Sequence, residues 1–163
     1  MKNILTEIKN DCLNAYGSFK NPDFSFVEKT YKKKLYSEII KELNQHFKME
    51  ENTDINDDVC FSYSITKGDL TWLMQISMIG KYALLINSKE KTTEEYSPET
   101  EKEYEKIIKN LLNKNGIKIL EKKILEQDLG YTGDFWEMGN VYNFLFSDTD
   151  FLPWGDQSLQ NSI

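Results

Sequence analysis

The chain contains no arginine: all 20 of its basic residues are lysine. Arginine is the side chain that forks onto phosphate and reads guanine edges. Its absence, with a formal net charge of −7, argues against a nucleic-acid partner, whose phosphates need a basic face. An AT-rich coding sequence gives the same bias toward Lys, Asn and Ile, and the two explanations are compatible. Histidine is scarce as well. Apart from His46, no side chain could build a His-based zinc site or a His-assisted Ser or Cys nucleophile. His46 itself, near the end of a predicted helix, reads as a polar surface or capping residue. There is no GxGxxG, no GxxxxGK[ST] and no GxSxG, so phosphate-cradling loops and the nucleophile elbow are missing. Cys12 and Cys60 have no framework spacing and read as two reduced thiols rather than a disulfide. No run of 18 apolar residues exists, so no membrane-spanning helix is expected. The N-terminal MKNILTEIKNDCL starts like a signal peptide, but Glu7 and Asp11 interrupt it and no apolar h-region follows. The expectation is a cytoplasmic, non-catalytic protein with no metal and no cofactor.

What is present is a clear pattern of alternation. From Val59 to Ile65 every second residue (Val59, Phe61, Tyr63, Ile65) is large and apolar, the period of a strand with one buried face. Lys67-Gly68-Asp69 supplies hairpin chemistry. Leu70, Trp72, Met74, Ile76 and Met78 alternate again, Ile79-Gly80-Lys81 turns, and Tyr82–Ile86 makes a third, nearly all-apolar strand. Residues 59–86 are therefore predicted as an antiparallel meander. Before it, residues 2–15 fit a helix closed by Gly17. A longer helix from about Ser25 to Phe47 carries Val27, Tyr31, Leu35, Ile39, Leu43 and Phe47 every fourth residue, with Tyr36 and Ile40 widening the stripe. Lys32, Lys33, Lys34, Glu38 and Lys41 form its solvated face. Glu50–Asp58 (EENTDINDD) reads as an acidic loop. Oxygen-rich loops can hold calcium, but this one lacks the alternating ligands and central glycine of an EF-hand.

After the meander, Ser97-Pro98-Glu99 is a strong helix start, and Tyr104, Ile107, Ile108, Leu111 and Leu112 give that helix its buried stripe. Asn115-Gly116 ends it in the left-handed conformation. Ile117–Leu120 starts a fourth strand, Glu121–Gly130 leans to a short helical turn, and Asn140–Ser147 (NVYNFLFS) reads as a last strand. A chain of 163 residues buries roughly 70% of its unfolded surface when it folds as one unit. The prediction is a single domain over 1–163: helices over about 2–47, then sheet, helix and final strand over about 58–154, and a polar tail over 155–163. The class is α+β, N-terminal helices plus a largely antiparallel sheet with a helix packed across it.

The last third carries the strongest functional signal. From Glu121 onward eight acids face two lysines, a net −6 in 43 residues. Aromatics are interleaved with them: Tyr131, Phe135, Trp136, Tyr142, Phe151 and Trp154. Apolar anchors ringed by carboxylates suit a surface that holds a basic protein, the rings as desolvated anchors and the acids for steering and specificity. The candidate partner-binding residues are Asp134, Glu137, Asp148 and Asp150, with Tyr131 and Trp136 as anchors. The alternative is that Trp136 and Trp154 are core and the acids a rim facing water.

Two stretches carry a resemblance. TWLMQISMIGKYALLI (71–86) resembles a sheet signature of the form apolar-Ser-x-apolar-Gly-x-Tyr-Ala found in small bacterial immunity proteins. VYNFLFSDTDFLPW (141–154), an aromatic strand running into Phe-Ser-Asp and Pro-Trp, is similar to the C-terminal part of such proteins. The resemblance covers about 30 residues and transfers no binding residue. It implies a protein of a polymorphic-toxin or contact-dependent inhibition system that neutralises a cognate toxin, often a basic nuclease, by tight stoichiometric binding. A non-catalytic binding or adaptor domain with another protein partner is one rival. A small enzyme or ligand-binding protein with a pocket beneath the sheet is the other, because paired carboxylates have no fixed sequence spacing.

Overall fold

The N-terminal residues form α1 (Ile4–Tyr16), which buries Ile8, Cys12 and Tyr16 on one stripe. The Asn3 side chain caps it by accepting from the Leu5 N–H at 2.9 Å, and Gly17 closes it at φ +79°. These coordinates are a computed structural model that describes residues 3–87, 97–130, 139–147 and 152–154. The single helix expected over 25–47 is instead two, α2 (Phe26–Lys33) and α3 (Ser37–Leu43). They part at Lys34, whose φ of +47° is left-handed. Leu35, a member of the expected stripe, is consequently 54% exposed. The acidic loop also starts later than expected. Its first residues belong to β1 (Lys48–Glu51), which pairs antiparallel with β2 (Cys60–Lys67) from Lys48↔Thr66 to Glu51↔Tyr63.

The predicted meander is present as β2, β3 (Leu70–Ser77) and β4 (Tyr82–Asn87). Lys67 pairs with Leu70 across a two-residue loop in which Gly68 stands at φ +58° and Asp69 does not, the pattern of a type II′ turn. Phe61, Trp72, Ile76 and Leu84 are all buried. The later helix is α4 (Pro98–Lys114), and the Ser97 hydroxyl accepts from the Thr100 N–H at 3.2 Å. Gly116 alone makes its left-handed exit, at φ +74°, while Asn115 stays at −92°. The chain then runs parallel to β4 as β5 (Lys118–Ile119), so the sheet, ordered β1-β2-β3-β4-β5, is mixed and antiparallel only through β4. The short helical turn after it is α5 (Lys122–Leu125). Together these elements make an α+β fold.

The two faces of the sheet differ in chemistry. Phe61, Tyr63, Ile65, Trp72, Met74 and Ile76 share one face by pairing register. It is covered from the α3 and α4 side, where Phe47 packs edge-on against Trp72 and Tyr104, each at 5.9 Å. Asn87 of β4 donates to the buried Glu101 carboxylate in the first turn of α4. The opposite face carries Cys60, Ser62, Gln75, Ser77 and Tyr82. α1 reaches it through the Tyr82 hydroxyl, which donates to Asp11 at 2.6 Å.

The rest of that face is covered by the segment expected as a final strand. It is a helix, α6 (Val141–Leu145), with Asn140 accepting from the Asn143 N–H at 2.9 Å as its cap. A run apolar on every side fits a buried helix as well as a buried strand, and here the cap and the ends decide. The last carbonyls of a helix lack intrahelical donors, yet the four from Phe144 to Ser147 each have a donor. Tyr16 Oη donates to the Phe144 carbonyl at 2.5 Å and Ser77 Oγ to that of Leu145 at 2.6 Å. The Val59 N–H donates to the Phe146 carbonyl at 2.8 Å and Asn143 Nδ2 to that of Ser147 at 3.0 Å. Among the described residues no helix is long and apolar enough to cross a membrane.

Tyr16→Phe and Ser77→Ala each strand a buried carbonyl. Each should lower stability by about 1–3 kcal/mol in urea unfolding. Unchanged midpoints would mean that water replaces the lost donors and that α6 does not depend on them.

Candidate functional site: two clefts beside an acidic edge

The six residues proposed from sequence to bind a partner, Tyr131, Asp134, Trp136, Glu137, Asp148 and Asp150, all lie outside the described residues. The described residues show what flanks their segments. The chain is closed on both sides of 131–138 by an antiparallel bridge between Asp128 and Asn140. The Leu129 N–H donates to the Gly139 carbonyl at 3.2 Å, and the Val141 N–H to that of Gln127 at 2.9 Å. Ser147, which directly precedes Asp148, bridges to Asp58, and its hydroxyl donates to the Asp57 carbonyl at 3.4 Å. The acidic stretch of the fifties is thereby tied to the entry of a second one, 90 positions along the chain. Trp154 is partly buried. Its Nε1 donates to Glu126 Oε1 at 2.6 Å, and its ring meets Tyr142 edge-on at 5.7 Å.

In residues 52–58, Asp54 and Asp58 turn their carboxylates onto the loop's own backbone. Asp54 Oδ1 accepts from the Asn56 N–H at 3.0 Å, and Asp58 Oδ2 from the Asp54 N–H at 2.9 Å. Thr53 Oγ1 accepts from the Ser62 N–H at 2.9 Å, which ties the loop to β2. Between this loop and α2 lies a cleft of about 810 Å³. Phe24 and Ile55, both exposed, stand on its walls, and Tyr16 and Asn143 lie deeper. Asp57 and Asp58 line one side, Lys29 and Lys32 the other. Burial raises the Asp58 carboxyl above its ordinary value of 3.8, against the lowering effect of its hydrogen bonds to Asp54 and Ser147. Among the described residues no three His, Cys, Asp or Glu side chains are grouped to hold a metal ion.

A second, smaller pocket of about 310 Å³ opens on the other side of α2. Its lining includes four aromatic rings, Tyr31, Tyr36, Phe61 and Tyr63, beside two aliphatic and two polar side chains, with Glu51 and Lys34 at the exposed rim. Tyr31 stacks on Phe61 at 6.0 Å and 21°, and Tyr36 meets the same ring edge-on at 5.7 Å and 89°. In a continuous helix residues 31 and 36 would point about 140° apart and could not share one ring. The left-handed Lys34 between them makes the pocket possible. Glu51 stands directly across from Tyr63 in the β1–β2 pairing. The Tyr31 phenol holds its proton more firmly because of its hydrogen bond to Glu51. Burial first, then Glu51 and Tyr31, push Tyr63 up to about 12.

Both cysteines are free and buried, and burial raises each thiol further above its ordinary value. Neither is a thiolate nucleophile at neutral pH. His46 is exposed, and its backbone carbonyl accepts from Lys67 Nζ at 3.1 Å. Comparison with protein-family models, curated proteins and solved structures finds no match for this chain. The aromatic pocket escaped the sequence reading because its parts were assigned to a helix stripe, an acidic loop and a strand. The one available signal was the five-residue spacing of Tyr31 and Tyr36, which no single helical face accommodates.

Lys34→Gly tests the break. In a helix interior glycine costs about 1 kcal/mol, but at this left-handed position it should raise stability by about 0.5–1 kcal/mol, read from the urea midpoint. A loss would restore the continuous helix. Asp58 sets a pH dependence. Because its folded carboxyl titrates above 3.8, its contribution is full below that value and is lost as pH rises through the folded pKa. Asp58→Asn should therefore gain stability over wild type at pH 7 and lose that gain near pH 3. A difference that does not change with pH would show Asp58 to be solvated.

Proposed function

We propose that the chain is a non-catalytic immunity protein that neutralises a cognate, basic, nuclease-type toxin domain by tight one-to-one binding. The observation that carries the reading is the junction at Ser147, where the Asp54–Asp58 loop adjoins the residue leading into Asp148. The net −6 after Glu121 and the likeness of 71–86 to immunity-protein sheets support it as well. An acidic surface of this kind covers the site with which a nuclease holds phosphate, speeds encounter and rejects acidic competitors. The segment 141–154 supports the reading less than its sequence suggests, since its first part is helical and not a strand.

A second reading is favoured by the 810 Å³ cleft, which has the size and mixed lining of a small-ligand site. Under it the chain is a ligand-binding protein, and a cognate small molecule raises its melting temperature with no toxin present.

If a toxin domain is encoded beside this chain, co-expression of the two should protect cells. Association should slow as salt rises from low to physiological levels, where the screening length falls to about 8 Å. Reversing Asp134 and Glu137 to lysine should weaken the complex by about 2–5 kcal/mol if they are buried in it, measured by titration calorimetry. Cell death despite soluble protein would end the immunity reading. Protection untouched by the reversals would move the site away from 131–138.

A further inference from the structure

The aromatic pocket at the α2–α3 break has the composition of a cation receptor. Four rings share the wall of a small space with Ile40 and Met49, and the rim offers one carboxylate, Glu51. Aromatic faces attract cations through the ring quadrupole, and a carboxylate beside them adds charge and hydrogen-bond acceptors. Lys34 also stands at the rim. Glu51 holds the Tyr31 proton through a hydrogen bond, and at Tyr63 it adds to the larger effect of burial. The backbone geometry is also unusual at this point, for Lys34 is the non-glycine residue held at positive φ among those described. Such strain persists where surrounding structure enforces it and gathers at ligand clamps.

We propose that this pocket receives the guanidinium of an arginine side chain carried by the partner protein, stacked on the tyrosine rings and forked onto Glu51. Arginine fits better than lysine because a planar, weakly hydrated guanidinium stacks on rings while it forks onto a carboxylate. The chain has no arginine of its own, so none competes from within. The volume of about 310 Å³ lies at the lower end of the range for small-ligand pockets. The identity of the carrier rests on the proposed toxin-binding role, whereas the chemistry of the pocket does not.

The test separates the two. The whole chain, with labelled aromatic rings, is titrated by NMR with N-acetyl-arginine-N-methylamide, its lysine analogue and its neutral citrulline analogue. Saturating shifts in the rings of Tyr31, Tyr36, Phe61 and Tyr63 are expected with arginine, weaker ones with lysine, and none with citrulline. Glu51→Gln, at an exposed position, should weaken the arginine probe about 3- to 5-fold, while Lys34→Gly should strengthen it by removing the rim cation. Equal binding of citrulline, or shifts that spread over the surface without saturating, would overturn the proposal. In the toxin complex, Tyr31→Leu combined with Glu51→Gln should raise the dissociation constant at least about 10-fold. Unchanged affinity would remove the arginine contact and leave the immunity role standing. Saturation by the arginine probe with no toxin complex at all would support the pocket and end that role.

Discussion

The fold depends on four consecutive carbonyl groups, those of Phe144 to Ser147. Buried at the end of a five-residue helix, they have no backbone partners within it, and their donors come from α1, β3, the residue ahead of β2 and the Asn143 side chain. A stranded buried carbonyl costs about 1–3 kcal/mol, comparable with a good part of the net stability of a domain. The first and last thirds of the chain are therefore joined to the middle of the sheet by directional bonds as well as by apolar burial. The same junction fixes the acidic loop, because Val59 follows it and Ser147 pairs with Asp58.

A polar seam lies beside this join. Tyr142 Oη donates to Gln75 Oε1 at 3.0 Å, and Gln75 Nε2 donates to Ser62 Oγ at 3.2 Å. Hydrogen bonds in so dry a place specify one docking of α6, because any shift would leave several polar groups unpaired at once. The face opposite is filled mainly by packed rings, with the Asn87–Glu101 bond at its α4 side.

What was legible in the sequence was whatever local chemistry decides. The meander is written in alternation and in Gly68, α4 in Ser97-Pro98, and the turn at α5 in the polar run around it. Two elements were not legible because long-range partners decide them. In β1, Lys48-Met49-Glu50-Glu51 has one apolar residue and little strand character; it is extended because β2 offers a ladder. In α6 the apolar run fits two periods equally, and only Asn140 hinted at a helix start. The break at Lys34 ran against the four-residue stripe, and its purpose is visible only once Phe61 is placed between two tyrosines. The acidic candidates after Glu121 follow from composition, but the pocket is assembled from three distant stretches and has no linear signature.

The sheet ends on one side in β1, four residues long and mostly charged, and on the other in β5, which has two residues. Among the described residues neither outer edge has a strand beside it. A long, flat, apolar border would template the addition of another chain, whereas a short one studded with Lys48, Glu50 and Glu51 repels its own copies. A chain built this way can accumulate to high concentration with little tendency to polymerise through its sheet.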